Sequence, residues 1–166
     1  MAEAEETEIV ESPTVAAQLV AGLLGRGETV ATAESLTGGL LSGAITAAAG
    51  ASSVYVGGVV TYATRAKEEL LAVPAELVVE EGVVSAACAE SMARGVRRLL
   101  GTVYGVSTTG VAGPDTQDGK AVGTVYIGLA TAAGSWSVEL HLDGDRSRIR
   151  EATVEAALAE LLRALG

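Results

Sequence analysis

Histidine, cysteine and aromatic residues are scarce in this chain of 166 residues, and each shortage closes off a kind of chemistry. His141 is the only histidine, and no set of Cys, His and carboxylate residues shows ligand spacing, so no metal is expected. His141 itself sits in a stretch where Val138, Leu140 and Leu142 alternate with Ser137, Glu139 and His141, which puts its ring on the solvated face of a strand. The single cysteine, Cys88, cannot form an internal disulfide. Its neighbours Ala86, Ala87 and Ala89 read as a helix with a buried face, so a core thiol is favoured over a nucleophile. Aromatic residues make up 3% and the formal charge is -10, which leaves few platforms for stacking bases and a net charge that opposes a phosphate backbone; nucleic-acid binding is disfavoured. Long apolar runs are missing too: Leu40–Ala49 and Val54–Val60 are short and broken by Gly or Ser, so no membrane span is expected. The start of the chain lacks the basic segment and apolar run of an export signal and carries Glu3, Glu5, Glu6, Glu8 and Glu11 instead. The expectation is a cytosolic protein with an acidic, disordered leader over residues 1–11 and one domain over 12–166.

What is present is an alternation of helical and strand patterns. Ser12 and Pro13 read as an N-cap and first turn, after which Val15, Leu19, Leu23 and Leu24 recur at helical spacing until Gly25 and Gly27. Thr29–Ala33 is a β-prone run, followed by a helical face of Leu40, Leu41, Ala44, Ile45 and Ala48 that ends at Gly50. Gly57–Tyr62 reads as a strand, Thr64–Leu71 and Pro74–Glu81 as short helices, and Ser85 as the cap of a longer helix that runs to Leu100 and stops at Gly101. Val103–Ser107 is a buried strand, Val122–Ala130 and Ser135–Leu142 a hairpin pair, and Ser147–Leu165 the last helix. This pattern predicts an α/β fold, a three-layer α/β/α sandwich around a mixed β-sheet in a single domain. Abundant Ala and Gly let helices approach the sheet closely but leave a modest core, which makes a homo-oligomer, a symmetric dimer above all, a fair expectation.

Four segments carry candidate chemistry. Ala33–Gly39 is a strand end that passes through a polar turn into a helix; it presents Ser35 near unpaired backbone N–H groups, with Thr37, Gly38 and Gly39 open to close approach by a ligand. From the local pattern alone an N-cap serine explains Ser35 better than a nucleophile does, since neither a G-x-S-x-G elbow nor an S-x-x-K motif is present. Thr61–Lys67 is a second strand end entering a helix. With nine Arg against two Lys, a lysine here departs from the chain's habit, and only lysine can give up its proton when its surroundings lower its pKa. Lys67, in the first turn of a helix and near Arg65, would be the base that activates Ser35, with Tyr62 bridging or relaying; a solvated surface lysine is the alternative. Ser107–Asp115 is a hydroxyl-rich strand end running into a Gly/Pro loop, where Thr109, Gly110 and Gly113 offer donors to a ligand, though an ordinary turn would look the same. At Gly144–Arg150 three arginines crowd a helix start, against the dipole; a bound anion held by Arg146 and Arg150 accounts for them, as does ion pairing with Glu151 or Glu155.

Taken together, AESLTGG at 33–39, TYATRAK at 61–67, TGVAGPD at 109–115, VGTVY at 122–126 and GDR at 144–146 resemble the competence-damage-inducible (CinA) C-terminal family, in order and spacing over nearly everything from Pro13 to Leu165. The family's usual AESCTGG has Leu36 in place of Cys here, beside the nucleophile and not at it. The resemblance implies a nicotinamide-nucleotide amidase that hydrolyses nicotinamide mononucleotide to nicotinic acid mononucleotide and ammonia in pyridine-nucleotide recycling, with no metal and no cofactor. It implies Ser35 as nucleophile, Lys67 as general base, Tyr62 assisting, and backbone N–H groups at 36–39 receiving the oxyanion. Thr109 and the glycines after it would line the nucleotide pocket, and residues 144–150 would hold the phosphate. Longer members carry a further N-terminal domain with pyrophosphatase activity, so only the amidase is expected here. The rival readings are a catalytically silent nucleotide-binding or interaction module, and a serine amidase for another small carboxamide.

Overall fold

The computed structural model describes residues 12–166; the acidic leader expected over 1–11 lies outside the described residues. Six α-helices and five strands are found among them: α1 Val15–Arg26, β1 Val30–Glu34, α2 Leu40–Thr46, β2 Tyr55–Val60, α3 Thr64–Leu71, α4 Ala75–Glu81, α5 Ala86–Leu100, β3 Tyr104–Gly110, β4 Thr124–Thr131, β5 Gly134–His141 and α6 Arg146–Ala164. The strands form one mixed sheet in the order β2-β1-β3-β4-β5, with β1 parallel to both neighbours and β3, β4 and β5 antiparallel in turn. The predicted three-layer sandwich is therefore present. Local signals place most elements, since Ser85 Oγ accepts from the Cys88 N–H at 3.1 Å at the start of α5 and Gly101 ends that helix in a left-handed conformation. The cap of α1 is corrected: Thr14, two residues beyond Ser12, accepts from the Ala17 N–H at 3.1 Å.

Two apolar layers flank the sheet. On one face α1, α2 and α6 bury Leu19, Leu23, Leu41, Ile45, Ile149 and Leu161 against Val106, Ile127 and Leu129. On the other, α3, α4 and α5 cover Ala31, Ala33 and Tyr126 with Leu71, Cys88, Met92 and Val96. The long helix α5 lies unusually close to the sheet because two strand glycines make room for its backbone. A Cβ on Gly128 would stand 2.2 Å from the Ala89 carbonyl oxygen, and one on Gly105 2.2 Å from the Ala93 carbonyl oxygen, one helical turn on. No helix among the described residues is long and apolar enough to cross a membrane.

The chain order places the site. The β1–β2 crossover carries α2 over one face and the β2–β3 connection carries α3 to α5 over the other, so the path switches faces around β1. Connections that leave to opposite sides open a crevice at the carboxyl ends of the parallel strands. Ser35 follows β1 there, Thr61 and Tyr62 follow β2, and Thr109 and Gly110 close β3.

Closeness of α5 to the sheet gives a first test. Gly128→Ala and Gly105→Ala are each expected to destabilise the fold by about 1–3 kcal/mol or more, because helix backbone must move. Gly25→Ala, on an open part of α1 with nothing within 4 Å of the new methyl, is expected to stabilise by about 0.5–1 kcal/mol. Urea unfolding curves measure all three.

Candidate active site

The serine and the lysine that sequence reasoning singled out meet. Ser35 extends β1 by one residue, its N–H donating to the Thr108 carbonyl at 3.0 Å, so the side chain stands at the strand's end, half-buried. Lys67, on the first turn of α3, is 1% exposed and its Nζ lies 2.9 Å from Ser35 Oγ. The same nitrogen donates to the Thr61 carbonyl at 2.6 Å and reaches the Tyr62 carbonyl at 3.5 Å. Burial holds the Lys67 amine below its ordinary value of 10.5, an effect that the nearby Cys88 thiol only partly opposes. Burial also pushes the Cys88 thiol up to about 11, with Lys67 pulling the other way and Asp118 adding to the rise. Cys88 is thus a buried neutral thiol behind the lysine, as read from the sequence.

A cavity of about 310 Å³ opens over this pair. Ser35, Leu36, Tyr62, Lys67, Thr109, Gly110, Gly113 and Arg146 border it, and so do Thr64 and Asp115 from the candidate segments and Gln117 from outside them. Thr109 is buried, its hydroxyl donating to the Val83 carbonyl at 2.7 Å. Arg146, at the start of α6, reaches across the mouth and donates to the Gly113 carbonyl at 2.7 Å and to the Tyr62 hydroxyl at 2.9 Å. Among the described residues no three His, Cys, Asp or Glu side chains are grouped to hold a metal ion.

Several expectations are corrected. Tyr62 neither bridges nor relays: Lys67 reaches Ser35 directly, and the Tyr62 phenol is turned to Arg146 on the rim, the residue being 60% exposed. Thr37 does not face the ligand space, because its side chain is fully buried and shares a hydrogen bond of 2.8 Å with Thr108. Gly38 and Gly39 do not border the cavity either. The Gly38 N–H donates to the Ser35 carbonyl at 3.1 Å and that of Gly39 to Glu34 Oε1 at 3.2 Å, so neither is free for an oxyanion. Their φ values, +55° and +104°, show what the two glycines supply, a left-handed turn that returns the chain into α2. Arg150 stays away from the cavity; its Nε and Nη2 donate to the Leu36 and Thr37 carbonyls at 2.9 and 3.3 Å. No ion pair joins Arg146 or Arg150 to Glu151 or Glu155 among the described residues.

Sequence reasoning missed Glu34. Fully buried at the end of β1, its carboxylate accepts from the N–H groups of Gly39, Leu41 and Ser42 and from the Ser42 hydroxyl, at 2.6 to 3.2 Å. The signal was available, since an acidic residue stands shortly before a helix start, but its spacing matches no capping box. The carboxylate closes the far side of the turn that presents Ser35. Leu36, the departure from the usual cysteine, is 4% exposed and packs into the core layer of α1, α2 and α6.

Comparison with known proteins places this arrangement. The model of the CinA C-terminal domain matches residues 12–165. A CinA-like protein of Frankia casuarinae is 49% identical over 148 residues, 89% of this chain and 34% of that protein, and one of Geobacter sulfurreducens is 48% identical over 141 residues, 84% and 34%. The chain thus spans about a third of the length of these curated relatives. Among solved structures it is similar to a competence-damaged protein (CinA) superfamily protein of Klebsiella pneumoniae, with a TM-score of 0.88 and 32% identity over 91% of this chain and 95% of that one. It is also similar to the competence/damage inducible protein CihA of Agrobacterium tumefaciens, with a TM-score of 0.86 and 36% identity over 93% and 99%. With a matched domain from residue 12 to 165 and the same fold in these structures, the chain belongs to the CinA C-terminal domain family.

Proposed function

We propose that this chain is a nicotinamide-nucleotide amidase that hydrolyses the carboxamide of nicotinamide mononucleotide to nicotinic acid mononucleotide and ammonia. The observation that carries the reading is the buried Lys67 Nζ at 2.9 Å from Ser35 Oγ. A serine hydroxyl is a weak nucleophile until a base takes its proton, and an ammonium cannot do so. Burial supplies the missing condition by favouring the neutral amine. Two carbonyls, of Thr61 and Tyr62, accept from Nζ and direct its lone pair at the hydroxyl.

Ser35 Oγ attacks the amide carbon while its proton passes to Lys67 Nζ. The oxyanion that forms is received by the N–H group of Leu36, which borders the cavity and has no acceptor among the described residues. Lys67 then protonates the departing nitrogen, so that ammonia leaves and an ester to Ser35 remains. A water molecule, activated by the same amine, attacks that ester and releases the acid and free serine. The cavity of about 310 Å³ lies at the lower end of the range for small-ligand sites. Arg146 on its rim supplies a cation for the phosphate, whose binding, remote from the bond that breaks, orients the ring.

Ammonia release from nicotinamide mononucleotide tests the reading. Ser35→Ala is expected to abolish it, and Lys67→Arg, which cannot lose its proton, to lower kcat by about 10²–10⁴-fold. No ammonia from the mononucleotide would defeat the proposal, and equal turnover of free nicotinamide or other simple carboxamides would replace it with a broader serine amidase.

The pH dependence follows from the depressed lysine. The kcat/KM is expected to rise with pH along a limb centred below 10.5, the ordinary lysine value, and Lys67→Ala is expected to remove that limb. Stability should move the same way. Between the depressed folded value and 10.5 the unfolded chain binds the proton that the native chain has lost, so native stability rises with pH through that window. Lys67→Met, compared with wild type by urea unfolding across that range, should lose this slope.

A further inference from the structure

Charged residues make up 19% of the chain, yet none occurs from Ser35 to Thr64, and no proline does either. That stretch supplies α2 and then β2, and β2 is an outer strand of the sheet, paired with β1 alone. On its free side no backbone hydrogen bond to another element is found among the described residues. Val56 and Val60 on this strand are 53% and 48% exposed, and Leu40 at the start of α2 is exposed as well. The opposite edge of the sheet differs, because β5 carries Glu139 and His141, both exposed. A free edge presents a row of unpaired N–H and C=O groups to any other strand, and proteins blunt such edges with Lys, Pro, inward charge or a bulge. Of these β2 has only a bulge near its start, where the register with β1 shifts between Val30 and Ala31; from Gly57 to Val60 the pairing is regular.

Charge decides which partner fits this edge. With a formal charge of -10 two copies of the chain repel one another, and the repulsion is least where a long stretch carries no charge at all. A foreign partner is steered and selected by complementary charge, which this stretch does not offer; a second copy needs none. Antiparallel pairing of a strand with its own copy is two-fold symmetric, so the same residues serve both sides of the contact. We propose that β2 is the contact of a symmetric dimer, in which two copies pair antiparallel through their free edges and bury Val56 and Val60 at the seam. The two five-stranded sheets then run on as one. The inference is independent of the amidase reading, and it gives the homo-oligomer expected from the composition a specific surface.

Sedimentation velocity across a wide range of protein concentration tests the contact. Wild-type protein is expected to be a dimer at the higher concentrations, and the amides of Gly57–Val60 are expected to exchange more slowly in the dimer than in the monomer. Val56→Lys and Val60→Lys change exposed positions and place ammonium groups of both copies at the seam. Each is expected to raise the dimer dissociation constant by about 100-fold or more. Val79→Lys, on α4 and 85% exposed, adds the same charge to another element and should leave the dimer intact. Wild-type protein that stays monomeric throughout overturns the inference. So does a dimer that survives both β2 substitutions, which places the contact elsewhere, and so does one that Val79→Lys disrupts equally, which makes the added charge rather than the edge the cause. Where a lysine variant does not melt cooperatively the wild-type exchange data decide: a dimer whose Gly57–Val60 amides exchange as fast as those of the monomer does not pair through β2.

Discussion

A lysine amine removed from water and set 2.9 Å from a serine hydroxyl is the constraint around which the rest of the site is arranged. A buried ammonium is costly unless it is well partnered, and no carboxylate lies in hydrogen-bond or ion-pair contact with Lys67 among the described residues. Its partners are a hydroxyl and two carbonyls, and its near neighbour Cys88 is itself held neutral. Each of these favours or tolerates the uncharged amine more than an Asp or Glu would. Placing a carboxylate in the position of Cys88 would hold the proton on Nζ and leave no neutral amine beside Ser35.

The sheet determines that these groups meet. Ser35 and Lys67 are 32 residues apart, and they converge because β1 and β2 are parallel neighbours whose carboxyl ends open on the same side. Parallel pairing carries both segments to one edge, where β3 adds Thr109 and Gly110 and the start of α6 adds Arg146 from across the mouth. The approach of α5 to Gly105 and Gly128 belongs to the same design, since that helix carries Cys88 behind the lysine.

Features set by short-range chemistry were legible in the sequence, and those set by distant partners were not. The cap of α5, its glycine stop, the strand character of β4 and β5 and the exposed face that carries His141 follow from neighbours within a few residues. The position of Lys67 beside Ser35 was legible as well, because a lysine in an arginine-rich chain is a compositional anomaly and drew attention to the segment that the fold brings to the serine. Arg150 was misread because nothing nearby in the sequence says which acceptor 114 residues away it will find. Thr37 was misread for a similar reason: a hydroxyl beside two glycines suggests an open loop, whereas its partner is Thr108 on another strand. Arg146 and Arg150 stand four residues apart on one helix, but the end of a helix faces two environments, and a single turn separates the cavity mouth from the back of the Ser35 turn.

Seen from the turn itself, opposite charges hold its two kinds of backbone group. Glu34 is an acceptor only, and it gathers the N–H groups of Gly39, Leu41 and Ser42; Arg150 is a donor only, and it gathers the carbonyls of Leu36 and Thr37. Were the two charges exchanged, the carboxylate would compete for the N–H groups beside Ser35 and the guanidinium would have nothing to hold at the start of α2. The arrangement that remains leaves the Leu36 N–H, on the border of the cavity, without an acceptor among the described residues and next to the Ser35 hydroxyl. Unpaired donors in a half-buried turn are unfavourable in a resting protein and useful only where negative charge forms during a reaction. Leu36, where the family's usual motif has a cysteine, belongs both to the core beneath the turn and to the border of the cavity, so core packing and the cavity wall both bear on its identity.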